Sequence, residues 1–109
     1  MEAGFARVLR IARATGLAGI EESISYGTPS LKLAGKFLAR MKDDDTLVVK
    51  CPIPEKEMLM AAAPEVFFQT DHYVGYDSFL VRLSAAEDAD IAGRLQAAWG
   101  MQAPKKFRK

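Results

Sequence analysis

The stretch FFQTDHYVGYDSFLVRL, Phe67 to Leu83, holds the chain's single histidine, His72, and two of its three tyrosines, Tyr73 and Tyr76. An imidazole with an ordinary pKa of about 6.5 takes or gives a proton near neutral pH. Tyrosine hydroxyls and the nearby Asp77 carboxylate would orient a bound ligand beside it. Tyr26, in a Tyr-Gly-Thr-Pro turn, could line the same space, so Tyr26, His72, Tyr73 and Tyr76 form a candidate ligand pocket. The partners of an established chemistry are missing. There is no G-x-S-x-G nucleophile, no Gly-rich phosphate cradle, and no second His or Cys near His72 to complete a zinc site. The bland alternative is that these rings lock a turn by packing and hydroxyl hydrogen bonds. No catalytic residue, metal or cofactor is expected from these residues, and the protein is read as a non-enzyme.

Three other groups invite a chemical reading, and each has a simpler one. Cys51 ends an apolar run and reads as a small core residue; unable to pair within the chain, it fits a reducing compartment. Glu21 and Glu22 fall in what reads as a loop after Gly19, where adjacent carboxylates are usually hydrated surface charges. Asp43, Asp44 and Asp45 lack the spaced ligands and distal glutamate of a calcium loop, so they read as a turn.

The cations make the second candidate site. Lys105, Lys106, Arg108 and Lys109 crowd the last five positions, leaving eleven basic against fourteen acidic residues in positions 1 to 104. Basicity is therefore local, and phosphate affinity depends on a concentrated positive field. Strand alternation projects Lys32, Arg40, Lys42, Lys50 and Arg82 from one sheet face, and Lys36 sits in the turn beside them. With hairpin tips at Gly35 and at Val74 and Gly75 entering grooves as wings, this set is a candidate surface for double-stranded DNA. Leu38, Val48 and Leu80 share that face by the same alternation. An exposed face of that kind would equally suit a protein partner or self-association.

These side chains need a scaffold, and its elements are legible as periodicities. Phe5, Val8, Leu9 and Ala12 mark a helix from about Ala3 to Ala14 that ends at Gly16, with Arg7, Arg10 and Arg13 on its solvated arc. Ser30 to Ala34, Phe37 to Lys42 and Thr46 to Cys51 read as strands joined by tight turns. In the middle one, Phe37, Ala39 and Met41 point to the core while Leu38, Arg40 and Lys42 point away. Pro54 to Pro64 brackets a second helix whose expected buried stripe is Met58, Leu59 and Ala62. Val66 to Thr70 and Ser78 to Leu83 are two more strands. Ser84 with Glu87 fits a capping box before a last helix carrying Ile91, Leu95, Ala98 and Trp99. The order α-β-β-β-α-β-β-α predicts an α+β two-layer sandwich, with helices on one face of a five-stranded antiparallel sheet.

At 109 residues, half of them hydrophobic and about a quarter charged, the chain has the size and mix of one globular domain. Residues 1–104 are expected to form it, with 105–109 as a basic tail. No apolar run reaches the roughly 18 residues that cross a bilayer, and charge interrupts the start too early for a secretory signal, so a cytoplasmic protein with no membrane contact is expected.

Three strings, in order, carry a resemblance: SYGTPSLKLAGKFLARM (Ser25 to Met41), CPIPEKEMLMAAAPEVFFQTDHYVGYDSFLVRL (Cys51 to Leu83) and the ending AAWGMQAPKKF. They resemble the MmcQ/YjbR family from about Gly16 to Phe107. The most specific parts are Tyr26, Gly27, Thr28 and Pro29 with Gly35 and Lys36, then Phe67, Phe68, Asp71, His72, Tyr73, Gly75 and Tyr76. The resemblance implies a small α/β sandwich and the family's usual description as a DNA-binding protein of the "double wing" type. It supplies no catalytic residues.

Overall fold

Two two-residue turns start the sheet. Ser25 pairs with Thr28 and Leu33 with Lys36, leaving Tyr26-Gly27 and Ala34-Gly35 at the tips. All four residues have positive φ, 54° and 78° in the first pair and 53° and 77° in the second. That is the mirror-image turn whose twist matches the right-handed twist of the strands it joins. Glycine enters this region freely, whereas Tyr26 and Ala34 are strained there.

The computed structural model describes residues 4–107. The strands are β1 (Ile20–Ser25), β2 (Thr28–Leu33), β3 (Lys36–Asp43), β4 (Thr46–Lys50), β5 (Phe67–Phe68) and β6 (Ser78–Arg82). They form one antiparallel sheet in the order β1-β2-β3-β4-β6-β5. The helices are α1 (Gly4–Ala14), α2 (Ile53–Ala62) and α3 (Asp88–Gln102). The expected α+β sandwich with an antiparallel sheet is therefore present. Its sheet has six strands rather than five, because the segment with Glu21 and Glu22 is a strand and not a loop. As an edge strand paired on one side only, β1 tolerates the polar sequence IEESIS.

Val8, Ile11 and Ala12 of α1 and Ile91, Leu95 and Ala98 of α3 pack on Leu31, Leu33, Ala39, Met41, Leu47, Val49, Phe79 and Val81 of the sheet. Gly16, at φ 69°, ends the first helical segment as expected. Arg7 is not a solvated residue. It donates to the carbonyls of Leu83 and Ala86, both at 2.7 Å, and to Asp88 at 2.9 Å, tying α1 to the turn that enters α3. The aspartate turn is structural as expected, and Asp45 binds both the backbone N–H and the hydroxyl of Ser84 at 2.7 Å. Ser84 is thereby occupied, and the residue that caps α3 is Glu87, whose N–H donates to Asp90 at 2.9 Å.

Two further expectations are corrected by local geometry. A bulge shifts the β2–β3 register: Lys32 faces Phe37 but Leu31 faces Ala39, so Leu38 is the extra residue. Leu38 consequently joins the core while Phe37 turns to the opposite sheet face, the reverse of strict alternation. On α2, Met58 and Ala62 are exposed. The inward stripe is Lys56, Leu59, Met60 and Ala63, and Lys56 is 2% exposed.

Of the proposed tail, Lys105–Phe107 forms one 3-10 turn; Arg108 and Lys109, like Ala3 at the expected start of the first helix, lie outside the described residues. Among those described, no helix is long and apolar enough to cross a membrane.

Candidate basic and aromatic cleft

The sheet face turned away from α1 and α3 is the floor of a cleft of about 990 Å³. Lys32, Phe37, Arg40, Lys42 and Val48 line the floor, Ile24, Ser25 and Tyr26 one wall, and Thr70, His72 and Tyr73 the other. None of the described residues lining it is acidic. The two sites inferred from the sequence, one cationic and one aromatic, thus share one concavity. Lys32, Arg40 and Lys42 come from the first, and Tyr26, His72 and Tyr73 from the second.

The first wall is the β1–β2 hairpin. Thr28 Oγ1 donates to the Ser25 carbonyl at 2.9 Å and Ser25 Oγ to Ser30 Oγ at 3.0 Å, fixing the turn that presents Tyr26. Tyr26 is 90% exposed and Ile24 72% exposed. The second wall was expected to be a hairpin with a wing at Val74 and Gly75. Instead β5 is only two residues long and Asp71–Tyr73 is a 3-10 turn. The reason lies under the loop. The buried Lys56 ammonium donates to the carbonyls of Tyr73 at 2.8 Å, Tyr76 at 2.8 Å and Ser78 at 2.9 Å. Three acceptors match its three protons, which holds the backbone of 73–78 against α2. Burial pushes the Lys56 pKa below its ordinary value, while the three carbonyls favour the charged form.

Arg40 joins the walls. Its Nη2 donates to the Tyr73 hydroxyl at 3.0 Å, and its guanidinium lies 5.1 Å from the centre of the Tyr26 ring, within cation–π range. His72 is exposed, edge-on to Tyr73 at 4.8 Å and nearly parallel to Tyr76 at 6.3 Å. Tyr76 itself stands outside the lining.

The remaining cations are placed differently. Lys50 Nζ lies 2.8 Å from Asp77 Oδ1, and its hydrogen bond holds the Asp77 carboxyl below the usual range. The Arg82 guanidinium covers the Phe68 ring at 4.4 Å and donates to the Glu65 carbonyl at 2.8 Å. Lys36 is exposed beside the Ala34-Gly35 tip. The exposed apolar face anticipated from Leu38, Val48 and Leu80 is also absent, since all three are buried. Leu38 went to the core through the bulge.

Cys51 lies behind the sheet, with Arg94 Nη1 at 3.6 Å and Glu55 at 3.7 Å. Burial pushes its thiol up to about 11, so it is protonated at neutral pH. Among the described residues no group of three or more His, Cys, Asp or Glu side chains is placed to hold a metal ion. Sequence reasoning missed Phe37, Thr70 and Lys56. For Lys56 a signal existed: it stands at i of an i, i+3, i+4, i+7 pattern completed by Leu59, Met60 and Ala63.

Comparisons with known proteins agree with the strings quoted above. The uncharacterized proteins Rv2570 and MT2646 of Mycobacterium tuberculosis and Mb2600 of Mycobacterium bovis are each 45% identical over 52 residues. Those residues span 48% of this chain and 40% of each relative. No solved structure matches the chain. The profile described as YjbR matches residues 15–101, from the end of the first helical segment into the last turns of α3. The chain belongs to the MmcQ/YjbR family.

Proposed function

We propose that this protein binds nucleic acid, with DNA as the principal partner, through phosphate contacts in the basic and aromatic cleft, and that it catalyses no reaction. One observation carries this reading. Lys32, Arg40 and Lys42 converge on a concavity with no acidic side chain among the described residues that line it, Glu21 standing opposite Lys32 on the neighbouring edge strand, in a chain whose first 104 residues hold more acids than bases. Such local concentration of positive charge is what phosphate affinity requires. The reading as a non-enzyme is supported by the setting of His72. Among the described residues it has ring contacts with Tyr73 and Tyr76 and no hydrogen bond to a carboxylate that would orient it as a base. The reduced, buried Cys51 suits the cytoplasm, where nucleic acid is met.

Fluorescence anisotropy of labelled DNA across a salt series tests the proposal. Three phosphate contacts predict that log affinity falls with log salt at a slope between about −2 and −3. Arg40→Glu should weaken binding by roughly tenfold or more, because it removes one cation and adds repulsion. Lys50→Glu should do far less, since Lys50 is already held by Asp77. No binding at low salt, or indifference to Arg40→Glu, would reject the proposal.

A further inference from the structure

Resting on that reading, we infer that the cleft takes unpaired strands rather than duplex. Bases of a single strand stack on the Tyr26 ring, and their phosphates descend to Arg40, Lys32 and Lys42. The placement of charge points this way. A duplex would be met by a projecting hairpin entering a groove flanked by phosphates. The β1–β2 hairpin at the sheet edge has exposed Glu21 and Glu22 along β1, Glu22 paired with Arg13 at 3.0 Å, and no basic residue of its own in the Tyr26-Gly27 turn, whose ring is met by Arg40 from β3. Its insertion would carry carboxylates towards phosphates. The cations lie instead on the cleft floor, with Lys32 and Arg40 half-buried. A flexible single strand can follow the cleft down to them, whereas the phosphates of a stiff duplex remain on its outer rim.

Ring placement points the same way. Tyr26 occupies a left-handed position at φ 54° that Asn or Gly would adopt with less strain, yet the residue is 90% exposed. The guanidinium of Arg40 lies over one face of the ring, 5.1 Å from its centre, so the opposite face is the one a base would meet. Phe37, His72 and Tyr73 add further aromatic surface inside the same cleft. Exposed rings interleaved with cations match unpaired bases, whose faces a duplex hides within its stack. The site reads strand state and phosphate, with little dependence on base identity.

The test is anisotropy at about 50 mM salt with a labelled DNA strand, its duplex with the complement, and the RNA strand of the same sequence. Either single strand should bind at least roughly tenfold tighter than the duplex, and the DNA and RNA arms identify the source. Tyr26→Asn keeps a residue suited to the left-handed turn and removes the ring. It should weaken single-strand binding by about 5- to 150-fold, the range expected for losing one base stack, and weaken duplex binding by a smaller factor. Duplex binding equal to or tighter than single-strand binding would overturn this inference while sparing the nucleic-acid reading. An unchanged single-strand affinity in Tyr26→Asn would overturn it too. Absence of binding in all three arms would overturn both.

Discussion

The guanidinium of Arg40 donates to the hydroxyl of Tyr73 across 3.0 Å, joining residues 33 positions apart. Arg40 belongs to the sheet floor and Tyr73 to the loop after β5, so this one bond closes the cleft from below. Tyr73→Phe keeps the ring and deletes the acceptor. It should lower unfolding free energy by about 1 kcal/mol, since the bond is charge-assisted but only half-buried. Urea denaturation reads this as a lower midpoint at unchanged slope, and an unchanged midpoint would show that the bond contributes nothing to the fold.

Lys56 should matter more to the cleft than any residue that lines it. Lys56→Met preserves bulk but leaves the carbonyls of Tyr73, Tyr76 and Ser78 without their shared donor. Unsatisfied buried acceptors cost about 1–3 kcal/mol each, and rehydration of the loop recovers part, so a net loss of roughly 2–4 kcal/mol is expected. Amide exchange in 73–78 should accelerate well beyond that of β3 and β4. Equal acceleration everywhere would mean that Lys56 stabilises the whole domain rather than this loop.

Ala34 sits at φ 53° on an exposed turn, where Asn is the better fit. Ala34→Asn should raise stability by about 0.5–1 kcal/mol by relieving left-handed strain. Thermal unfolding should show a Tm several degrees higher. A lower Tm would contradict the turn geometry.

The Cys51 thiol, pushed up to about 11 from an ordinary 9.0 chiefly by burial, should resist alkylation at pH 8 in the native protein and react promptly once it is unfolded. The sign of its linkage follows from a folded pKa above the unfolded one. Its contribution to stability is complete below about pH 9 and is lost as pH rises through 11. Cys51→Ser should therefore flatten the alkaline limb of a stability-versus-pH curve. A wild-type thiol modified as fast in the native state as in the unfolded state would refute the buried placement.

Sequence periodicity reached the helices and the central strands because each must bury an apolar face. It missed β1, where Glu21, Glu22 and Ser23 suit an edge strand and carry no alternation of their own. It also inverted Phe37 and Leu38, since a bulge inserts a residue without altering the hydrophobic pattern that precedes or follows it. The side chains of the cleft were nearly all legible as residue types, but as two sites. What unites them is the loop at 71–77, and that loop lies over the sheet because of a buried lysine in α2, a contact 17 to 22 positions away that no local rule supplies. Reading Lys56 as part of its helix's inward stripe would have been the available clue.

The most direct test of the cleft as the binding site is an NMR titration of the isotopically labelled protein with an unlabelled DNA strand. Amide shifts should move at Lys32, Phe37, Arg40, Val48 and Thr70 to Tyr73, and at the Tyr26 turn, while α1 and α3 stay still. Perturbations concentrated on those helices, or none at all in low salt, would contradict the account.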